Sequence, residues 1–269
     1  MSDEPTKKPL IRVVPPKKPQ QIDLSHRDGF EDAKSSANWS IAHAPTLQSH
    51  IIEWLQSNPY ELFVEDDPQR GDKFLAAYQV KPLAPIIFGD IGAMINSLRS
   101  ALDILFCALC RRNGIKPTRH TKFPIHRQAD GLVGELKNIE KEKWLTEREV
   151  RKIESLRPYQ GGDDALFAIH HLDIVRKHER FVSAEPVISQ AHITAWGGAT
   201  SALQRLNDKT ILYRLPANSV FSPSKGNSMV SAEIVINEAA LAMVYVPVSR
   251  RMRYFAGRVL EIIDDLEKA

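Results

Sequence analysis

The chain has 269 residues, 43% of them hydrophobic and 26% charged, with two cysteines and a net charge of +3. That hydrophobic share excludes a disordered chain and supports a real core, and two cysteines inside one helical pattern exclude a disulfide scaffold. With no uncharged apolar run of about eighteen residues and no apolar leader near the start, a cytoplasmic protein with no membrane partner is expected.

Charge is concentrated at the beginning. Lys7, Lys8, Arg12, Lys17 and Lys18 against Asp3 and Glu4 account for the whole net charge, and "EPTKKPLIRVVPPKKPQ" reads as a disordered Pro/Lys-rich tail over residues 1–20. Residues 21–269 read as a single α+β domain.

A helical pattern runs from Asp28 to Ser57, bent or broken near Pro45, with Trp39, Ala42, Leu47, Ile51, Ile52 and Leu55 as its apolar positions. "ELFVED" and "DKFLAAYQV", joined by "DPQRG" with Gly71 in the loop, predict a β-hairpin. The central amphipathic helix follows over about 90–112, with Ile91, Ile95, Leu98, Leu102, Leu105 and Leu109 as its seam and Asn113-Gly114 as its stop. Residues 134–155 alternate Lys and Glu and predict one or two solvated helices, the second opened by a Thr146/Glu149 capping box. Asp163 or Asp164 caps a further helix that reaches about Arg180, its apolar arc being Ala165, Ala168, Ile169, Leu172 and Val175. The runs "VISQAHITAW", "TILYRL", "SMVSAEIVI" and "LAMVYVPV" read as strands, and Met252, Phe255, Val259, Ile262 and Leu266 share one face of a C-terminal helix. The expected fold is α+β: a helical layer around the central helix, a mainly antiparallel sheet from about 185–249, and the C-terminal helix closing the assembly.

Two polar clusters stand out against these elements. On the central helix Asn96, Arg99, Asp103, Cys107 and Cys110 share a face apart from the leucine seam, and Arg99 can pair with Asp103 one turn on. A guanidinium steered by a carboxylate suits phosphate, although such a pair also simply satisfies two helices. "CALC" has C-x-x-C spacing but lies at the C-terminal end of its helix, where the dipole opposes a thiolate, so buried unreactive cysteines are expected. In "HHLDIVRKHERF", His170, Asp173, Lys177 and His178 fall within about 140° of one another, opposite Leu172. Acid/base chemistry or phosphate anchoring fits these residue types, and so does a polar contact between helices. Metal-ligand spacing is absent, so neither metal nor cofactor is expected. Arg111, Arg112, Lys116, Arg119, Lys122 and Arg127 form a basic run without acidic residues, interleaved with His120 and His126, and suit the wall of an anion site.

Taken in order, "LRSALDIL" (98–105), "KFPI" (122–125), "RPYQGG" (157–162) and "LDIVRKHERF" (172–181) resemble a bacterial protein family, without an assigned activity, that carries LRSALDHL, FPI, QPY and DKHR. The LRSALDHL form in turn resembles the R-x4-H helix of HEPN domains, helical modules that often dimerise and include RNases using that Arg and His. Arg99 matches the arginine, whereas Ile104 stands at the histidine position, so the resemblance implies a non-cleaving or divergent member and a homodimer. The leading expectation is a binding module for a phosphate-bearing or nucleic-acid ligand. The alternatives are a divergent HEPN-like ribonuclease using Arg99 and His178, and a structural protein in which both clusters only knit helices together.

Overall fold

The computed structural model describes residues 29–193, 198–200, 204–206, 209–220, 228–238 and 245–269. Among these lie six helices and seven strands: α1 (Gly29–Gln56), β1 (Tyr60–Asp67), β2 (Asp72–Gln79), α2 (Pro85–Arg112), α3 (Ala129–Lys141), α4 (Glu147–Ser155), α5 (Asp164–His178), β3 (Ala184–Ile193), β4 (Gly198–Thr200), β5 (Gln204–Leu206), β6 (Lys209–Leu215), β7 (Ser228–Ile236) and α6 (Val248–Glu267). The fold is α+β with a C-terminal helix, as the sequence pattern implies. The tail over 1–20 lies outside the described residues.

α2 is the axis of the helical layer. Pro85 at its first position begins it five residues before the expected start, because proline presets helical φ and has no N–H to waste there. Every residue of the predicted seam, from Ile91 to Leu109, is fully buried. Asn113 and a left-handed Gly114 (φ +76°) end the helix, and Ile115 N–H returns to the Cys110 carbonyl at 2.9 Å. α2 is long and apolar enough to cross a membrane by length and composition. Its packing against α1, α5 and α6 accounts for that hydropathy, since one core cluster takes in residues of all four.

α1 runs through Pro45 without a break, with Pro45 on an exposed face where the lost hydrogen bond faces water. Its buried face also differs from the expected one. Ala33, Ala37, Ser40 and Ala44 line the first half, while Trp39 is 44% exposed and Ala42 is exposed. Small side chains let α1 lie close on α2, where Ser36 Oγ donates to the Ser97 carbonyl (2.9 Å) and Ser97 Oγ to the Ser36 carbonyl (2.6 Å).

The strands form two antiparallel sheets, in the orders β1-β2-β6-β5 and β4-β3-β7. The predicted hairpin is present, with Gly71 at φ +70°, and it joins β6, so the strands expected from about 185–249 are shared between two sheets and one of these includes the hairpin. Leu75, Ala77, Ile188, Ala191 and Leu212 pack between the sheets, and Ile234 and Ile236 of β7 reach into the helical core. Leu241 to Val244 of the expected last strand lie outside the described residues, and Pro247 makes one bridge to Val235.

α4 has the predicted capping box, and Asp163 is the N-cap of α5, accepting from Leu166 N–H at 3.0 Å. All five residues of the predicted α5 arc are buried, as are all five predicted for α6. Before α5, the backbone of "RPYQGG" folds back so tightly that a Cβ on Gly162 would lie 2.1 Å from the Arg157 carbonyl oxygen, so only glycine fits.

Candidate functional site

Arg99 lies at the centre of the polar cluster between α2 and α5. It is 4% exposed; its Nη2 donates to the Phe123 carbonyl (3.0 Å) and pairs with Asp103 (2.8 Å), while its Nη1 is buried without a protein partner. Asp103 in turn accepts from the Phe123 N–H at 2.9 Å. The segment after α2 is thus clamped at Phe123 by donor and acceptor together, and the guanidinium is fixed in its plane. Burial loosens the Arg99 proton, opposed by Asp103, Asp173 and Glu135; burial likewise pushes the Asp103 carboxyl up, opposed chiefly by Arg99.

α5 supplies the opposite wall. Asp173, buried, holds Arg176 at 3.1 Å through one oxygen and Lys177 at 2.6 Å through the other, and Arg176 donates to Asn96 of α2 at 2.7 Å. The stem of Arg176 lies over Gly92, where a Cβ would come within 2.9 Å of its Cδ. His170, one turn before Asp173, is half-buried, and its pKa is pushed down to about 4, first by burial and then by the positive charge of Arg99 and Lys122. It is a neutral imidazole among cations, able to accept through one nitrogen and donate through the other.

Of the residues singled out from the sequence, Asn96, Arg99, Asp103, His170, Asp173 and Lys177 belong to this cluster. His178 does not: it ends α5 on an exposed face, eight residues and about 12 Å of helix beyond His170. The expected combination of Arg99 with His178 is therefore not met, and it is His170 on which the charge of Arg99 bears. The basic run also divides. Lys122 acts on His170, but Arg112 points away to Glu149 and to the Leu266 and Glu267 carbonyls, bracing α2 to α4 and α6. Arg119 donates to its neighbour His120 at 3.0 Å.

Arg176, Phe123 and Glu135 were not signalled as parts of a site, whereas His126, which pairs with Glu135, was, within the basic run. Gly92, one turn before Asn96, was the available sign of a side chain lying across α2. The cysteines are inert by environment, burial raising Cys107 and pushing Cys110 up to about 11. No group of metal-ligating side chains occurs among the described residues.

Arg99 and Asp103 meet Phe123, the neighbouring His126 N–H donates to the Pro158 carbonyl at 3.0 Å, and the charge of Arg99 bears on Asp173 and His170. Comparison of the chain with protein-family models, curated proteins and solved structures gave no match.

A second polar cluster, which no motif in the sequence marks, joins α1 to α2. The two oxygens of buried Asp90 take His43 Nε2 at 2.9 Å and His50 Nδ1 at 2.6 Å, and Trp39 stacks on His43 with ring centroids 4.7 Å apart. The histidines are seven residues apart, two helical turns, which places both on one face.

Proposed function

We propose that this protein is a cytoplasmic binding module for a phosphate-bearing or nucleic-acid ligand held at Arg99. The observation that carries the reading is the unpartnered Nη1 of a buried guanidinium whose other nitrogen is fixed by Asp103 and Phe123. An oxyanion satisfies that donor at little ordering cost. Lys122 and Lys177, the latter steadied by Asp173, add positive charge at the rim, and neutral His170 adds hydrogen bonding without competing for the anion.

The test is calorimetric titration with inorganic pyrophosphate and with mononucleotides, comparing the wild-type chain with Arg99→Lys and with Lys122→Ala/Lys177→Ala. A lost charge-assisted hydrogen bond is worth about 1.5–3 kcal/mol, so roughly 10- to 100-fold weaker binding is expected for Arg99→Lys. Binding unchanged in both variants, or absent in the wild type, overturns the reading.

The ribonuclease alternative is supported by one observation, that the charge of Arg99 bears on His170, which stands on a different helix from Ile104. An active preparation in which His170→Ala cleaves RNA as fast as wild type removes it.

A further inference from the structure

Beyond Asn96 the seam between α2 and α5 continues to an aromatic pair. Phe88 of α2 and Phe181, just past α5, stack with centroids 5.9 Å apart and planes at 29°, and Phe181 is 61% exposed. The segment that carries Phe181 is pinned. Arg180 donates through Nη1 and Nη2 to the two oxygens of buried Glu238, each at 2.9 Å, and Ser183 N–H donates to the same carboxylate at 2.6 Å. A large apolar ring is therefore held facing water on a rigid mount, backed by a second ring.

Contacts run in register along the two helices, Phe88 with Phe181 and then Gly92 and Asn96 with Arg176, and about one turn beyond Asn96 the charge of Arg99 bears on Asp173 and His170. From Phe88 to Arg99 is eleven residues of helix, about 16 Å. Lys177, on the exposed side of α5, lies between the ring and the guanidinium. An aromatic face followed by a line of cations matches the alternation of base and phosphate along a single strand, where stacking tolerates any base and cations follow the backbone.

We propose that the α2–α5 seam binds a segment of single-stranded nucleic acid, with Phe181 stacking on one base and Lys177 and Arg99 taking phosphates farther along. This rests on the anion reading of Arg99 and extends it to a ligand longer than one nucleotide. A duplex hides its base faces and cannot use Phe181, and an inorganic phosphate does not reach it.

The experiment measures fluorescence anisotropy of the full chain with three probes: a labelled oligothymidylate of about ten nucleotides, an abasic oligomer of equal length, and the matching duplex. Pyrophosphate competition reports the Arg99 end separately. The basic tail is common to every variant, so its contribution cancels. Phe181→Ala, at an exposed position, is expected to weaken oligothymidylate about tenfold, to leave abasic and pyrophosphate binding unchanged, and to be rescued by Phe181→Trp. Equal affinity of wild type and Phe181→Ala for oligothymidylate, with Lys177→Ala weakened, overturns the stacking proposal and leaves the anion reading standing. Tighter binding of the duplex than of the single strand also overturns it. No binding of any probe, pyrophosphate included, overturns both.

Discussion

Acidification should destabilise this fold through His170. In an unfolded chain an imidazole titrates near 6.5, whereas in the fold His170 resists protonation down to about 4, because burial and the charges of Arg99 and Lys122 oppose a further cation. Between those values the unfolded state binds a proton that the native state does not. Stability therefore falls as pH drops from about 6.5 towards 4 and is unaffected by this group above that window.

The lowered pKa corresponds to at most about 3 kcal/mol, and partial exposure of the ring reduces the expectation to about 1–2 kcal/mol. Urea unfolding of wild type and His170→Gln across pH 7 to 4 isolates the effect, since the carboxylates that titrate in the same range are shared by both proteins. The wild-type curve should lose about 1–2 kcal/mol more than the variant over the window. Parallel curves would refute the placement of a neutral histidine against Arg99.

Three other outcomes follow from particular contacts. Gly92→Ala, although a helix-interior substitution that by propensity gains about 1 kcal/mol, should lower stability by about 1–2 kcal/mol because its Cβ meets the anchored stem of Arg176; Gly89→Ala in the same helix meets nothing within 4 Å and should stabilise, as thermal unfolding would show. Glu149 is 1% exposed, and although burial pushes its pKa up, hydrogen bonds from Arg112, Thr146 and Asn113 outweigh that and hold it below the usual carboxylate range. Glu149→Gln should cost about 2–3 kcal/mol in urea unfolding, and the deficit should shrink as pH falls below about 4.5, where the wild-type Glu149 takes up a proton first in the unfolded chain and in the fold only at lower pH. Cys110, with its thiol pushed up to about 11, should resist Ellman's reagent at neutral pH in the native protein and react promptly once the chain is unfolded in urea.

Periodicity made α2, α5 and α6 legible because each buries an apolar stripe on one face, and a stripe is a local property of the sequence. α1 shows where that reasoning stops. Its buried face is alanine and serine through the first half, chosen by closeness to α2, so the bulky Trp39 reads as core although it stacks on His43 at the surface. Strand runs were legible for the same reason as helices, but their partners were not, since β2 finds β6 across 130 residues of chain and no local pattern encodes that pairing. At the site, each helix disclosed its own polar stripe. What crosses between helices stayed hidden: Arg176 reaching Asn96, Phe123 clamping Arg99 and Asp103, and Arg112 leaving the basic run for Glu149.

A helix interface built only for packing gains little from the Arg99 arrangement. Burying a guanidinium costs several kcal/mol even when it is paired, and leaving one of its nitrogens without a partner adds about 1–3 kcal/mol. An apolar side chain of similar volume would hold α2 against α5 at lower cost, and the leucine seam on the opposite face of the same helix shows that such packing is within reach of this sequence. Around this one position the fold also places Asp173, which steadies Arg176 and Lys177, and Asp103, which steadies Arg99 itself. These carboxylates leave the cations oriented and only partly neutralised: four cations (Arg99, Lys122, Arg176 and Lys177) stand against Asp103, Asp173 and Glu135, and Glu135 is shared with His126. The positive charge left over is what the proposed anion would meet.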